Sequence, residues 1–276
     1  MFLVIFAMFL TKNKTAMTLD ILICTIDEGI KKVPNILIPK EEGIRYVISM
    51  QYTDESFLAT IPEILKERDD VTLLTLKGRG LSRNRNNAIA HATGDILLIA
   101  DDDNRYTSAQ LHKVIEVHED DIDYDVILFR ANLEKHYPSK IETYQNAMAD
   151  GYYPTSSEIS FKNGIGIEFD ERFGLGSDAF VCGEESVFLK DCEDNGLTII
   201  CYPYKIVDTV SLSTNDFVGN RDLQIAKGAI FHYIFGRREA LWRIIKEAIY
   251  HAVHSYANPF TIFYFMMKGL KRVGKK

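Results

Sequence analysis

The chain has 276 residues, of which 46% are hydrophobic and 26% charged, ordinary proportions for a folded protein with one full core or two small ones. Its formal net charge of −7 argues against a nucleic-acid binder. The charge is uneven: from Arg237 onward nine Lys/Arg face two Asp/Glu, a balance of +7 that leaves −14 on residues 1–236 and marks the basic end as an attachment surface.

Residues 1–10 are apolar, too short to span a bilayer and preceded by no basic stretch, so residues 1–16 read either as an over-extended start or as a loose apolar arm touching a membrane. Beyond Met17, residues 19–25, 44–49, 71–76 and 95–100 are apolar runs of strand length separated by helical or mixed stretches. That alternation predicts an α/β fold, a Rossmann-like, mostly parallel sheet flanked by helices, with ligands beyond the carboxyl ends of the strands. One domain is expected over 17–236 and a basic amphipathic helical tail over 237–276. The cysteines Cys24, Cys182, Cys192 and Cys201 show neither CxxC spacing nor companion histidines, which excludes a zinc site or redox pair and predicts free cytosolic thiols.

Between the third and fourth strands, Gly78 and Gly80 release the chain into a turn and Ser82 is placed to cap a helix. Arg83 and Arg85 then fall in the first helical turn, where cations oppose the helix dipole unless an anion sits there. The fourth strand ends in Asp101, Asp102 and Asp103. Acids packed this closely repel one another, and a hard divalent cation bound by oxygen ligands resolves the conflict. Thr107 to Gln110 has the form of a capping box, with a helix running to about His118, and a further strand spans 124–129. Residues 132–155, rich in Tyr and Pro but weak in periodicity, read as a mobile or substrate-facing insertion. A second acidic cluster, Glu184 and Glu185, opens a helix whose Val187, Phe188 and Leu189 face inward. One cluster suited to a metal and another to a general base make the division of labour that group transfer to a hydroxyl requires.

Three blocks together resemble the family 2 glycosyltransferases, inverting sugar transferases with the GT-A fold. Gly80-Leu-Ser-Arg-Asn-Arg-Asn86 is similar to the family's glycine-to-Arg-Asn helix start. Asp101-Asp-Asp-Asn104 is similar to its DxD signature. Phe169-Asp-Glu-Arg-Phe-Gly174 with Gly183-Glu-Glu-Ser-Val-Phe188 is similar to its FDE-x-F-G and G-E-D-x-x-F elements. The blocks stand in the family's order over residues 19 to 212. Where the family has a Glu-Asp pair this chain has Glu184-Glu185, and the Asp-Asp-Gly-Ser run that helps hold the nucleobase is replaced by Ser49-Met-Gln-Tyr-Thr-Asp54.

The resemblance implies a UDP-sugar donor, a Mn²⁺ or Mg²⁺ ion, and a glycan or lipid-linked saccharide acceptor in surface polysaccharide synthesis. It implies Asp103 as metal ligand, with Asp101 sharing the metal or reaching the ribose beside Asp102, and His232 as a third ligand. Arg85 would stabilise the departing diphosphate. Thr25 and Asp27 would contact the nucleoside, with Gln51 or Asp54 standing in for the missing base-holding run and Ser156 to Ser160 bonding a sugar. Glu185 would be the general base, with Glu184 its rival. The aromatic run from Phe260 and the basic end that follows it suit an anionic membrane surface, hence a cytoplasmic protein peripheral at the inner face of the cell membrane. Two other readings fit less of the sequence: a catalytically silent nucleotide-sugar or glycan-binding module, and a sugar-nucleotide nucleotidyltransferase, whose glycine-rich activating loop is missing after the first strand.

Overall fold

Four apolar runs form the centre of the structure: β1 (Leu19–Ile26), β2 (Ile44–Tyr52), β3 (Val71–Lys77) and β4 (Ile96–Asp101). They pair in parallel in the order β3-β2-β1-β4. Seven of the eight residues of β1 are buried, as a strand covered on both faces requires. This computed structural model describes residues 16–209, 220–254 and 258–274; the apolar arm expected over 1–16 lies outside them except for Ala16, as do Lys275 and Lys276.

Past β4 the sheet continues through β8 (Ile159–Lys162), β6 (Val126–Ala131) and β9 (Ile199–Thr209). The strand β8 runs antiparallel to both its neighbours, whereas β6 and β9 are parallel to each other. Two-residue strands β5 (Asn104–Arg105) and β7 (Glu142–Thr143) pair antiparallel with β9. The sheet is therefore mixed: its centre is parallel, as expected, while β8 and the two-residue β5 and β7 run reversed, segments too short to be announced by periodicity.

Alternate residues of the strands feed two cores. Leu19, Ile21 and Ile23 pack with Leu111 and Val114 of a helix over Ser108–Asp120. Leu22, Cys24 and Phe161 pack with Phe188 and Leu189 of a helix over Glu184–Asp194. In chain order the α-helices are α1 (Ile64–Glu67), α2 (Leu81–His91), α3 (Ser108–Asp120), α4 (Tyr144–Ala149), α5 (Glu184–Asp194), α6 (Arg221–His254) and α7 (Pro259–Arg272). Thr107 and Gln110 form the expected capping box at α3. Ser82 does not cap α2: the helix starts at Leu81 after Gly80, and the Ser82 hydroxyl donates instead to the Phe173 carbonyl at 2.6 Å, tying α2 to the loop before α5.

The insertion over 132–155 is pinned at its end. Glu158, 0% exposed, accepts hydrogen bonds from Lys135 Nζ (2.7 Å), Tyr137 OH (2.5 Å), Tyr152 OH (3.1 Å) and the Thr155 amide (2.9 Å). A charge so deeply buried is tolerated only with such a set of donors.

The C-terminal helices begin earlier than residue 237: α6 starts at Arg221, bends at Gly236 (φ 72, ψ 166) and pairs with α7. Ile225, Ala226, Ala229 and Tyr233 of α6 pack on Phe173, Phe180 and Val187, so the helical pair is fastened to the body beside α5. The pairing is close because two small residues face backbone. A Cβ on Gly228 would fall 1.9 Å from the Met266 carbonyl oxygen, and one on Gly269 would fall 1.8 Å from that of Ile225. Gly→Ala in a free helix gains about 1 kcal/mol of propensity, but here the helices must part, and overpacking of this kind costs about 1–3 kcal/mol. Gly228→Ala and Gly269→Ala should each lower stability in urea titrations; variants as stable as the parent would show that the helices are not in contact there.

Candidate active site

The parallel strands β1, β2 and β4 end at one edge of the sheet, where their last residues converge with the first turns of α2 and α5. At that meeting point lies Arg85, 1% exposed. Its Nη2 is 3.2 Å from Asp101 Oδ1, and its Nη1 is 3.1 Å from Glu184 Oε1 and 3.6 Å from Glu185 Oε1. One guanidinium thus joins the acidic triplet to the glutamate pair. The Phe169 ring lies under it, 5.3 Å from the guanidinium carbon. Burial works against the Arg85 charge, and Asp101, Glu184 and Glu185 more than offset it, so its pKa is raised.

The two glutamates are not equivalent. Glu184 is buried, with Oε1 on Arg85 and Oε2 lacking a hydrogen-bond partner among the described residues. The Glu185 side chain keeps 20% exposure and sits farther from Arg85. Burial and the neighbouring Glu184 push its carboxyl up to about 8 against the pull of Arg85.

The triplet is divided in the same way. Asp101 Oδ1 faces Arg85, and its Oδ2 accepts from the Ser156 hydroxyl at 2.8 Å. Asp102 Oδ2 accepts from the Thr25 hydroxyl at 2.6 Å, and Lys32 Nζ is 3.6 Å from its Oδ1. Gly29 makes room for that bond, since a Cβ there would fall 2.2 Å from both oxygens. Asp103 is bound least, with a 3.4 Å contact from Asn104 Nδ2. Burial, then Asp101 and Asp102, raise its pKa. These are oxygen donors, the chemistry that a hard divalent cation takes, but most of them are already engaged by Arg85, Ser156, Thr25 and Lys32.

At the ends of β1 and β2, Asp27 takes a positive φ of 49, uncommon outside glycine but tolerated by Asp, and its carboxylate accepts from the Thr53 amide (2.7 Å) and hydroxyl (2.9 Å). Asp54 is exposed and caps the following turn through the Ser56 amide. Gln51 is buried and donates to the Gly80 carbonyl at 3.0 Å, and the Thr25 hydroxyl is spent on Asp102, so these two support the loops behind the surface. His232 stands apart at the α6–α7 seam, its Nδ1 2.7 Å from the Leu270 carbonyl. Among the described residues no three His, Cys, Asp or Glu side chains form a metal-holding group, so the expected trio of Asp101, Asp103 and His232 is not assembled. Of Ser156 to Ser160, Ser156 reaches Asp101, whereas Ser160 lies deep in the sheet, bonded to His118 and the Ile127 carbonyl.

Three contributors have roles that the sequence did not indicate. Asn84 donates to the carbonyls of Thr25 (3.1 Å) and Ser49 (3.0 Å), bracing β1 against β2. Ser156 and Lys32 each complete an acid of the triplet from a distant segment. Asn84 stood inside the Arg-Asn helix start and Ser156 inside the 156–160 run expected to bond a sugar, so only Lys32 lay outside every block already singled out.

Known structures share this architecture. S. aureus TarS 1–349 superposes with a TM-score of 0.57 at 13% identity, covering 94% of this chain and 93% of that one. The same protein in complex with UDP-GlcNAc gives 0.55 at 13% identity over 92% of each chain. The mannosyltransferase PcManGT from Pyrobaculum calidifontis, in complex with GDP-Man and Mn²⁺, gives 0.54 at 14% identity over 94% of this chain and 75% of that one. A longer S. aureus TarS chain gives 0.51 at 17% identity, and the present chain spans 43% of it. The fold is that of the GT-A glycosyltransferases. The model of glycosyl transferase family 2 matches residues 41–191, more than half of the chain, and the chain belongs to that family. No curated protein matches it.

The raised Glu185 pKa carries a stability consequence. Between its ordinary value of 4.5 and about 8, the folded protein holds a proton that the unfolded chain releases. The contribution is therefore complete below 4.5 and lost as pH rises through about 8. Thermal melts across this window should show the parent losing stability more steeply than Glu185→Gln; equal slopes would mean that Glu185 is not buried beside Glu184.

Proposed function

We propose that the chain is an inverting glycosyltransferase that moves a sugar from a nucleoside-diphosphate sugar, a UDP-sugar first, to a hydroxyl of a glycan or lipid-linked saccharide in surface polysaccharide synthesis at the inner face of the cell membrane. The observation that carries the reading is the Arg85 bridge, which sets the acidic triplet and the glutamate pair within one guanidinium of each other at the strand ends. In support, structures of the same fold hold UDP-GlcNAc and, with Mn²⁺, GDP-Man.

In this reading Asp103, the least bound of the three acids, would hold a Mn²⁺ or Mg²⁺ ion, with Asp101 beside it. The ion's chemistry would be to neutralise charge on the diphosphate. Asp27 and Asp54 meet the nucleoside from the ends of β1 and β2. Arg85 acts from behind the surface: buried and hydrogen-bonded to both, it fixes Asp101 and Glu184 in place, a role that replaces direct contact with the diphosphate. Glu185, the more exposed glutamate, takes the proton from the acceptor hydroxyl. As that proton leaves, the acceptor oxygen bonds to the anomeric carbon from the face opposite the diphosphate. The carbon–oxygen bond to the diphosphate breaks, and its electron pair departs with the nucleoside diphosphate.

A base with a pKa of about 8 must lose its proton before it works, so kcat/KM should rise about tenfold per pH unit up to about 8 and then level. Glu185→Gln should lower kcat about 10²- to 10⁴-fold with donor affinity kept. Asp103→Ala should remove the manganese dependence of UDP binding. A panel of UDP-, GDP- and dTDP-sugars with purified protein tests all three. Full transfer by Glu185→Gln would end the base assignment, and metal-dependent UDP binding without turnover on any acceptor would favour a silent binding module.

A further inference from the structure

The α6–α7 pair has two apolar faces, and the fold uses one. Ala240, Ile244, Ile262, Met266 and Leu270 close the seam between the helices. On the outer side Trp242, Ile249 and Val253 of α6 recur at i, i+7 and i+11, with Lys246 between them at i+4, and form a single stripe. Trp242 is 63% exposed, Ile249 58% and Val253 72%. Phe260, 83% exposed, and Tyr264, 54% exposed, form the matching stripe on α7. Val253 stands in the last turn of α6 and Phe260 in the first turn of α7. Isolated apolar side chains on a surface are ordinary; exposed stripes of them on two paired helices are not.

Charge identifies the occupant. Residues 237–272 carry seven Lys/Arg and two Asp/Glu. Both acids are already paired, Glu239 with Arg243 and Glu247 with Lys227. The next cation after the aromatic stripe, Lys268, places its Nζ 4.8 Å over the Tyr264 ring. Two copies joined through this face would set like charges against each other, which disfavours a symmetric dimer. No helix among the described residues is long and apolar enough to cross a membrane. Aromatic side chains flanked by lysines on a helix that cannot span suit the headgroup layer of an anionic bilayer.

We propose that the outer face of the α6–α7 pair docks on an anionic membrane surface, with Trp242, Val253, Phe260 and Tyr264 entering the headgroup layer and Lys246, Lys268 and Lys271 facing lipid phosphates. This extends the acceptor side of the function proposed above, and lipid binding is measurable without turnover, so either can fail alone.

Trp242 is the only tryptophan in the chain and stands on the patch, so it reports docking directly. Full-length protein is titrated with phosphatidylglycerol-containing vesicles and with pure phosphatidylcholine vesicles, following Trp emission and co-sedimentation. Docking predicts a blue shift with anionic vesicles, at least tenfold stronger partition into them than into phosphatidylcholine, and weakening by salt. The double variant Phe260→Ser, Tyr264→Ser should lose at least tenfold in partition, and Lys268→Glu with Lys271→Glu should lose the preference for anionic lipid. Circular dichroism and UDP binding equal to the parent's would confirm that these surface variants fold. Partition that survives both double variants without a Trp shift would locate membrane binding elsewhere and overturn the proposal. So would an absence of vesicle binding, whether or not sedimentation reveals self-association through this face.

Discussion

A single buried positive charge organises the acidic edge of this protein. Removing a guanidinium from water is costly unless its hydrogen bonds and counter-charges are supplied in place. Here they arrive from two distant segments: Asp101 from the end of β4, and Glu184 and Glu185 from the start of α5. The constraint is reciprocal. Without Arg85 two carboxylates would remain in a poorly solvated site with no counter-ion, and breaking a buried pair in this way typically costs about 3–5 kcal/mol. The geometry of the acids is therefore inseparable from the stability of the fold around them.

The local conflict in the sequence at Arg85 had the correct sign and a different resolution. Cations in the first turn of a helix oppose its dipole, and the sequence reading assigned the compensating anion to a ligand. Much of that anion is supplied by the protein itself, through Glu184 and Asp101. Periodicity was enough for β1 to β4, for α3 with its capping box, and for the inward face of α5, because each buries a regular set of apolar side chains. It missed β8, which is four residues long, and much of β9, where exposed Tyr204 and Lys205 interrupt the apolar pattern. The helix that carries the basic tail starts at Arg221, which a charge count does not mark, because it registers where cations begin and not where a helix does.

What could not be read in advance was which candidate residues would be consumed by the scaffold. Gln51, Thr25 and His232 are the residue types that bind nucleosides and metals, and each is committed to a partner within the chain. Those commitments depend on contacts across 29 to 77 positions, such as Gln51 to Gly80 and Thr25 to Asp102, which a linear pattern does not encode. The insertion before β8 was the least legible part, because its order comes from the buried Glu158 and the side chains gathered on it.

The reversed direction of β8 has an architectural meaning. Parallel strands bring only their carboxyl ends to the acidic edge, so every loop arriving there from β1, β2 and β4 follows a strand whose register it could disturb. An antiparallel strand presents its beginning at the same edge, which is how Ser156 comes to touch Asp101. The loop that enters this way is held by Glu158 behind it, like a flap on its own hinge plate. Changes in the length or composition of residues 132–155 can thus remodel what borders Asp101 on this side while the strand ends on the other side keep their shape, leaving a modular surface on which new specificities can be tried.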